Sequence, residues 1–417
     1  MEYCSFDAAR FGFPKPRVPV LPSLAWKTFR WRSQEGVPDP SGKCRDTLFY
    51  SRGRYALLEA YRLCGVGPVT SILIPAYHCR TMLDPAIRLG AHVGLYPVTA
   101  SLKPDLHGLR DCLRSSRHRA AALVLSHFFG FPQVSAELQE LCAEYQLRLI
   151  EDCSHCMLPH VPSSQIGRAG HCGVSSPYKF FPSEDGGMLW ASNGTQLPTL
   201  ALQRQTAVTE LKSVTHWLRR RAEANSRAPI ATAGPSPALE IVPEPDVFWS
   251  STGTSDQYNA ALEGVAGMRA SAWIISHTDT EAIHQLRIRN YLRWADLVSR
   301  LPNCKALYPE LPADVTPYMF PLIVDHPNPH FFLLKIRGVP IWRWDDMAIS
   351  DCPVAASYRT HLLHLPCHQN LSEAQMAWMA SCVSEVIKSS PSLGVRRQAS
   401  FKQAPMAHFH SENSASQ

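Results

Sequence analysis

Two short runs decide how this chain is read: Leu147-Arg148-Leu149-Ile150-Glu151-Asp152-Cys153-Ser154-His155-Cys156 and Ser175-Ser176-Pro177-Tyr178-Lys179-Phe180-Phe181-Pro182. The first is an apolar run that ends in a carboxylate. It reads as a buried strand whose carboxyl end carries Asp152. The second places Lys179 among aromatic residues, with Ser176 three positions before it and Asp185-Gly186-Gly187-Met188-Leu189-Trp190 after it. Open α/β sheets bind ligands at the carboxyl ends of their strands, where Asp152 is expected, while Lys179 sits just ahead of another apolar run.

Outward from there the rhythm is that of βαβ units. Short strands are expected at Ser71–Pro75, His92–Tyr96 and Ala121–Leu125, with helices at Arg54–Cys64, Arg80–Leu89, Leu106–Arg114 and Val134–Tyr145. The prediction is a mostly parallel central sheet. Residues 1–46 show no clear period and read as an irregular arm; 47–250 form the large domain and 251–388 a smaller C-terminal one. In the latter, helical patterns run from Asp256 to about Leu301 and over Pro329–Arg337 and Leu371–Lys388. Strands are expected at Met319–Val324 and Val339–Trp342. The proline-rich stretch 219–250 reads as a surface excursion, and 389–417 as a disordered tail poor in large apolar groups.

Composition excludes some classes. With 45% hydrophobic and 18% charged residues the chain is that of an ordinary globular protein. The net charge of +6 is scattered and accompanies no nucleic-acid-binding signature. No apolar run approaches the roughly 20 residues of a membrane span, and no signal peptide is apparent. Thirteen cysteines without framework spacing fit reduced thiols and a cytoplasmic location.

A lysine among aromatics is most often a snorkelling surface residue, and a strand-end carboxylate most often caps a turn. Together they suit pyridoxal phosphate (PLP), which takes a carboxylate at its ring nitrogen and a lysine at its aldehyde. Such a lysine needs partial desolvation, which Tyr178, Phe180 and Phe181 can supply. A phosphate can rest on backbone N–H groups at the start of the helix after Ser51-Arg52-Gly53-Arg54, with Ser175 and Ser176 as partners. The rival is zinc on Cys153, Cys156, His155, His160, His171 and Cys172, but the second half of a paired motif is only an adjacent His-Cys.

At these residues the chain resembles the DegT/DnrJ/EryC1/StrS family of sugar aminotransferases, over about 45–385. The resemblance rests on Ile74-Pro75-Ala76-Tyr77, His127-Phe128-Phe129-Gly130, Ile150-Glu151-Asp152-Cys153-Ser154-His155, and Lys179 seven residues before Gly186-Gly187. It implies an α/β fold type I PLP-dependent transferase acting as a cytoplasmic homodimer. The substrates implied are small molecules: glutamate as amino donor and a nucleotide-linked ketosugar. Asp152 would pair with the ring nitrogen, Lys179 would take the aldehyde, and His155 would stand in for a glutamine that bonds the ring hydroxyl. Gly53 and Arg54 match the phosphate loop, with Arg where the family has Thr, and Ser176 takes the phosphate-binding serine's part. The ring-stacking aromatic aligns with Cys79, which leaves Tyr77 or His78 for that role. A silent relative that only binds, or a PLP enzyme of another reaction type, stays open beside this reading.

Overall fold

The computed structural model describes residues 1–6, 8–31, 47–157, 166–192, 194–226 and 246–389. The strands are β1 (Glu2–Phe6), β2 (Thr47–Tyr50), β3 (Thr70–Pro75), β4 (His92–Tyr96), β5 (Arg119–Ser126), β6 (Arg148–Asp152), β7 (Cys172–Ser175) and β8 (Gly187–Ala191). They continue with β9 (Asp246–Ser250), β10 (Cys304–Ala306), β11 (Met319–Val324), β12 (Met347–Ala348) and β13 (Leu362–Pro366). The helices are α1 (Gly53–Leu63), α2 (Leu83–Arg88), α3 (Leu106–Ser115), α4 (Ala136–Glu144), α5 (Ala207–Ser226), α6 (Arg269–Ser276), α7 (Thr280–Val298), α8 (Pro327–Ile336), α9 (Pro353–His361) and α10 (Glu373–Lys388).

Among the described residues a seven-stranded sheet runs β2-β8-β7-β6-β5-β3-β4. Its β4/β3, β3/β5, β5/β6 and β6/β7 pairs are parallel, and β8 is antiparallel to both β7 and β2. Central parallel strands are covered on both faces, which is why β5 is buried continuously from Ala120 to Ser126. Gly173 on β7 shows how tightly the sheet packs. A Cβ there would stand 2.2 Å from the Trp190 indole of β8, whose N–H donates to the Gly167 carbonyl at 2.8 Å.

The C-terminal part builds the antiparallel sheet β10-β11-β13. The ends of α10 are set by local chemistry: Ser372 and Gln375 form a reciprocal capping box at its start. A third sheet, β12-β1-β9, draws together the first residues, the segment at 246–250 and Met347–Ala348.

Three expectations need correcting. The arm is not irregular at its start, because β1 pairs with both β9 and β12. Such pairing joins residues hundreds of positions apart and leaves no local period. No strand forms at Val339–Trp342, which has only the bridge Trp342↔His364. The excursion at 219–250 begins as the last turns of α5 and ends as β9. Its middle, 227–245, and the tail from 390 onward lie outside the described residues. No helix among them is long and apolar enough to cross a membrane.

Candidate active site

Asp152 closes β6, in register with Ser126 of β5 and Val174 of β7. It is buried, and its Oδ1 accepts the Ser154 N–H at 2.9 Å. No hydrogen bond among the described residues engages Oδ2, which leaves that oxygen for a ligand. Lys179 stands one strand over, at the end of the 3₁₀ turn Pro177–Lys179 that follows β7. Proline suits the first position of such a turn because its N–H is not needed there. The turn is anchored by Phe180 and Phe181, both buried, whose N–H groups donate to the Pro177 carbonyl at 2.9 Å each. Lys179 itself is half-buried, its Nζ 5.4 Å from the Tyr318 ring centroid.

His155 follows Asp152 by three residues and feels the charge of Lys179. Its Nδ1 accepts the Phe129 N–H at 3.2 Å, and its ring stacks on Tyr318 at 4.5 Å. Burial, then the charge of Lys179, hold its pKa well below the usual histidine value. The ring is therefore neutral, and the bond to Nδ1 assigns its proton to Nε2, a free donor. The turn Phe128–Gly130 that presents this N–H is shaped for its place. Phe129 has φ +59°, and at Gly130 a Cβ would stand 2.7 Å from the Thr316 carbonyl oxygen.

A polar cradle occupies the start of α1. Its N-cap Arg52 makes no side-chain cap, so the first N–H groups of the helix are uncapped. A Cβ on Gly53 would lie 2.3 Å from Ser176 Oγ, which in turn donates to Ser154 Oγ at 3.1 Å. The buried Ser51 Oγ has no partner among the described residues. From the other side Gly187 presses on the same loop, where a Cβ would be 2.2 Å from the Arg52 carbonyl oxygen. Arg54 directs its guanidinium to the Gln257 carbonyl, so only its backbone faces the cradle.

The stacking role expected of Tyr77 or His78 is not available from His78. Its Nδ1 donates to the Pro75 and Ala76 carbonyls and its Nε2 accepts the Ala348 N–H at 3.1 Å, so the ring brackets β3 to β12. Tyr77 stacks on Trp344 at 4.8 Å, and its hydroxyl meets His364 Nε2 at 3.1 Å. Tyr318, Trp344, His364, Arg287 and Gln369 all reach this region from the C-terminal part. Sequence reasoning missed them, because no spacing in the sequence ties them to Lys179.

The zinc set does not assemble. Cys172 faces Cys64, with the sulfurs 3.9 Å apart, His171 Nδ1 accepts the Leu149 N–H, and His160 lies outside the described residues. His127, Glu151 and Cys153 do cluster within 4.8 Å. Glu151 there already accepts His127 Nε2 at 2.9 Å and the Gly170 and Gly167 N–H groups at 2.7 and 2.8 Å. His127 Nδ1 accepts the Gln133 N–H, so both ring nitrogens are engaged. This buried network fixes the loop beyond β6.

The buried histidines carry a pH prediction. Burial lowers His78 to about 4, and His364 and His368 to about 3. Unfolded, each would bind a proton near pH 6.5, so the unfolded state gains protons first as pH falls and stability is lost below 6.5. Linkage puts the loss at about 2 kcal/mol for each between pH 7 and 5. Asp185, pushed up to about 6 by burial, works in the opposite sense and returns about 1 kcal/mol. From these groups urea unfolding should show a net loss of about 5 kcal/mol over that range; flat stability would contradict it.

The sheet order is that of the α/β fold shared by the fold type I PLP-dependent transferases, with a carboxylate and a lysine near neighbouring strand ends. The model of the DegT/DnrJ/EryC1/StrS aminotransferase family matches residues 45–224. It is 22% identical over 167 residues to a UDP-N-acetyl-3-dehydro-alpha-D-glucosamine 3-aminotransferase of Acidithiobacillus ferrooxidans, covering 40% of this chain and 43% of that one. A GDP-perosamine synthase of Vibrio cholerae is 24% identical over 151 residues, 35% of this chain and 40% of its own. The chain thus spans less than half the length of these relatives. Helicobacter pylori PseC, an aminotransferase of pseudoaminic acid biosynthesis, shares the fold at TM-score 0.59 and 14% identity, covering 90% of this chain and 99% of its own. Bacillus subtilis NtdA, solved with bound cofactor PMP, matches at TM-score 0.57 and 14% identity, over 83% and 74%.

Proposed function

We propose that this protein is a PLP-dependent aminotransferase that moves an amino group, from glutamate, to a keto group of a nucleotide-linked sugar. The observation that carries the reading is the pairing of Asp152 and Lys179 at adjacent strand ends beside the Ser51–Gly53–Ser154–Ser176 cradle. The donor set fits the cofactor. The open Oδ2 of Asp152 suits a protonated ring nitrogen, and Nε2–H of His155 a ring oxygen. The orphaned Ser51 hydroxyl and the uncapped start of α1 suit a phosphate.

When bound, PLP supplies the electron sink that transamination needs. The chain's own part is acid–base and electrostatic. Lys179 holds the proton taken from the donor's α-carbon and returns it on the far side of the reaction. Asp152 keeps a positive charge in place at the ring nitrogen, since opposite charges at close range favour the ionised form of both. Tyr318 lies beside the Lys179 amine, and Phe129 and Trp344 pack against His155. We further propose a cytoplasmic homodimer, divided as 47–250 and 251–388, without nucleic-acid or membrane partners.

The family match and the sugar aminotransferases among the relatives support the acceptor class. Purified protein loaded with PLP should absorb in the visible, and the band should shift on adding L-glutamate. Amination should then follow for a nucleotide ketosugar in a panel of acceptors. A colourless protein that takes up no PLP, or a band indifferent to every amino donor, would overturn the reading.

A further inference from the structure

Between Trp342 and β12 the chain forms neither helix nor strand, yet it is held at both ends. The Trp342 carbonyl accepts the His364 N–H at 2.8 Å, and the Ala348 N–H is taken by His78 Nε2. In between, the buried Arg343 guanidinium lies 4.0 Å from the Phe331 ring centroid and binds Asp345. Trp344 is presented by this anchored segment. Tyr77 covers one face of its indole, with 4.8 Å between centroids and 29° between planes. His155, His364 and Phe128 pack around it at 5.6, 5.8 and 6.0 Å. The ring is nevertheless only half-buried, and no acceptor among the described residues takes its Nε1–H.

An indole offers an apolar face and one donor, and small-ligand pockets are lined by such rings with a few placed polar groups. Trp344 shares its surroundings with the groups assigned to the chemistry. The charge of Lys179 reaches both His155 and His364 and, after burial, helps to keep them neutral. The rings packed on Trp344 are thus a phenol, a phenyl and neutral imidazoles, with no cation to meet the carboxylates of glutamate. They suit a pyranose ring, which has an apolar C–H face to lie on an indole and rim hydroxyls to accept its N–H.

We propose that Trp344 is a specificity-determining residue for the acceptor: its half-buried indole is the platform on which the sugar ring of a nucleotide-linked ketosugar rests beside His155. The inference rests on the sugar acceptor of the proposed function and adds the residue that recognises it.

The test uses the full-length protein loaded with PLP and the unreactive probes UDP-glucose, GDP-glucose and dTDP-glucose, which have no keto group. Calorimetric titration with each, and with the matching free nucleoside diphosphate, isolates the sugar's share of the affinity. Trp344→Phe keeps an aromatic face and should bind the best probe nearly as the parent does. Trp344→Leu should bind it about tenfold more weakly, the worth of one good aromatic contact, while the free nucleotide is affected far less. Hydroxyl-radical oxidation of the unmutated protein, read by tandem mass spectrometry, decides the matter should the Leu variant not fold. Saturating probe should protect Trp344, whereas glutamate should not, and the exposed Trp273 of α6 serves as reference. A folded Trp344→Leu protein that binds the probe like the parent overturns the inference, as does a Trp344 oxidised equally with and without bound probe. If glutamate shifts the visible band but no probe binds the unmutated protein, the sugar acceptor of the proposed function fails and this inference with it. Probe binding that ignores Trp344 sinks this inference alone.

Discussion

Lys179→Ala is expected to abolish turnover while leaving PLP bound. The substitution removes the amine that takes the aldehyde and the group that carries the α-proton. General acid–base catalysis by one such group is worth about 10² to 10⁴ in rate, and losing the covalent role as well should take activity to background. Binding should survive, because the cradle of Gly53, Ser51 and Ser176 lies at the start of α1 and Asp152 on a different strand. The fold should survive too. The clamp from Arg287 and Gln369 grips the backbone carbonyls of residues 179 and 180, which alanine retains. The measurements are borohydride trapping, retention of PLP on gel filtration, and the glutamate-dependent change in absorbance. A variant that still gave a reducible lysine link and normal turnover would show that the reactive amine is elsewhere.

Asp152→Asn should fail differently. Shape is nearly kept, and Asn Oδ1 can still accept the Ser154 N–H. What is lost is the negative charge opposite the ring nitrogen. Stranding one member of a buried charge pair costs roughly 3–5 kcal/mol, which is two to four powers of ten in rate if the transition state feels all of it. Lys179 is untouched, so the covalent link should form and the visible band should remain. Single-turnover kinetics with glutamate should show a fall of about 10² or more beside an intact link. An Asn variant within a few-fold of the parent rate would mean that the carboxylate caps the turn and no more. The two variants thus separate attachment from activation.

Much of the large domain was legible because its signals are local. Buried parallel strands read as short apolar runs, and their ends could be placed to within two residues, as at Thr70–Pro75 and Arg148–Asp152. The place of Asp152 at a strand end was legible for the same reason, whereas β7 ahead of the turn that carries Lys179 left no clear run and only the structure supplied it. Gly53 was readable as the start of a helix able to hold a phosphate, and the structure presses Gly187 against the backbone of Arg52 and Gly53. His78 was misread. A histidine after a strand looks like a ligand group, and only the arrival of Ala348 at its Nε2 makes it a bracket.

By itself, then, the sequence determined the alternation of elements, the class of sheet and the place of Asp152 at its carboxyl edge. These follow from periodicity and chain direction, which act over a few residues. The tertiary structure alone decided what surrounds them. Tyr318 lies beside the lysine's amine and Trp344 packs on His155 and His364, while Arg287 and Gln369 hold the lysine's turn across 108 and 189 residues of chain. β1 finds β9 and β12 across similar distances. Such contacts are selected by shape, burial and the need to satisfy backbone carbonyls in the assembled core. None of these leaves a spacing in the sequence.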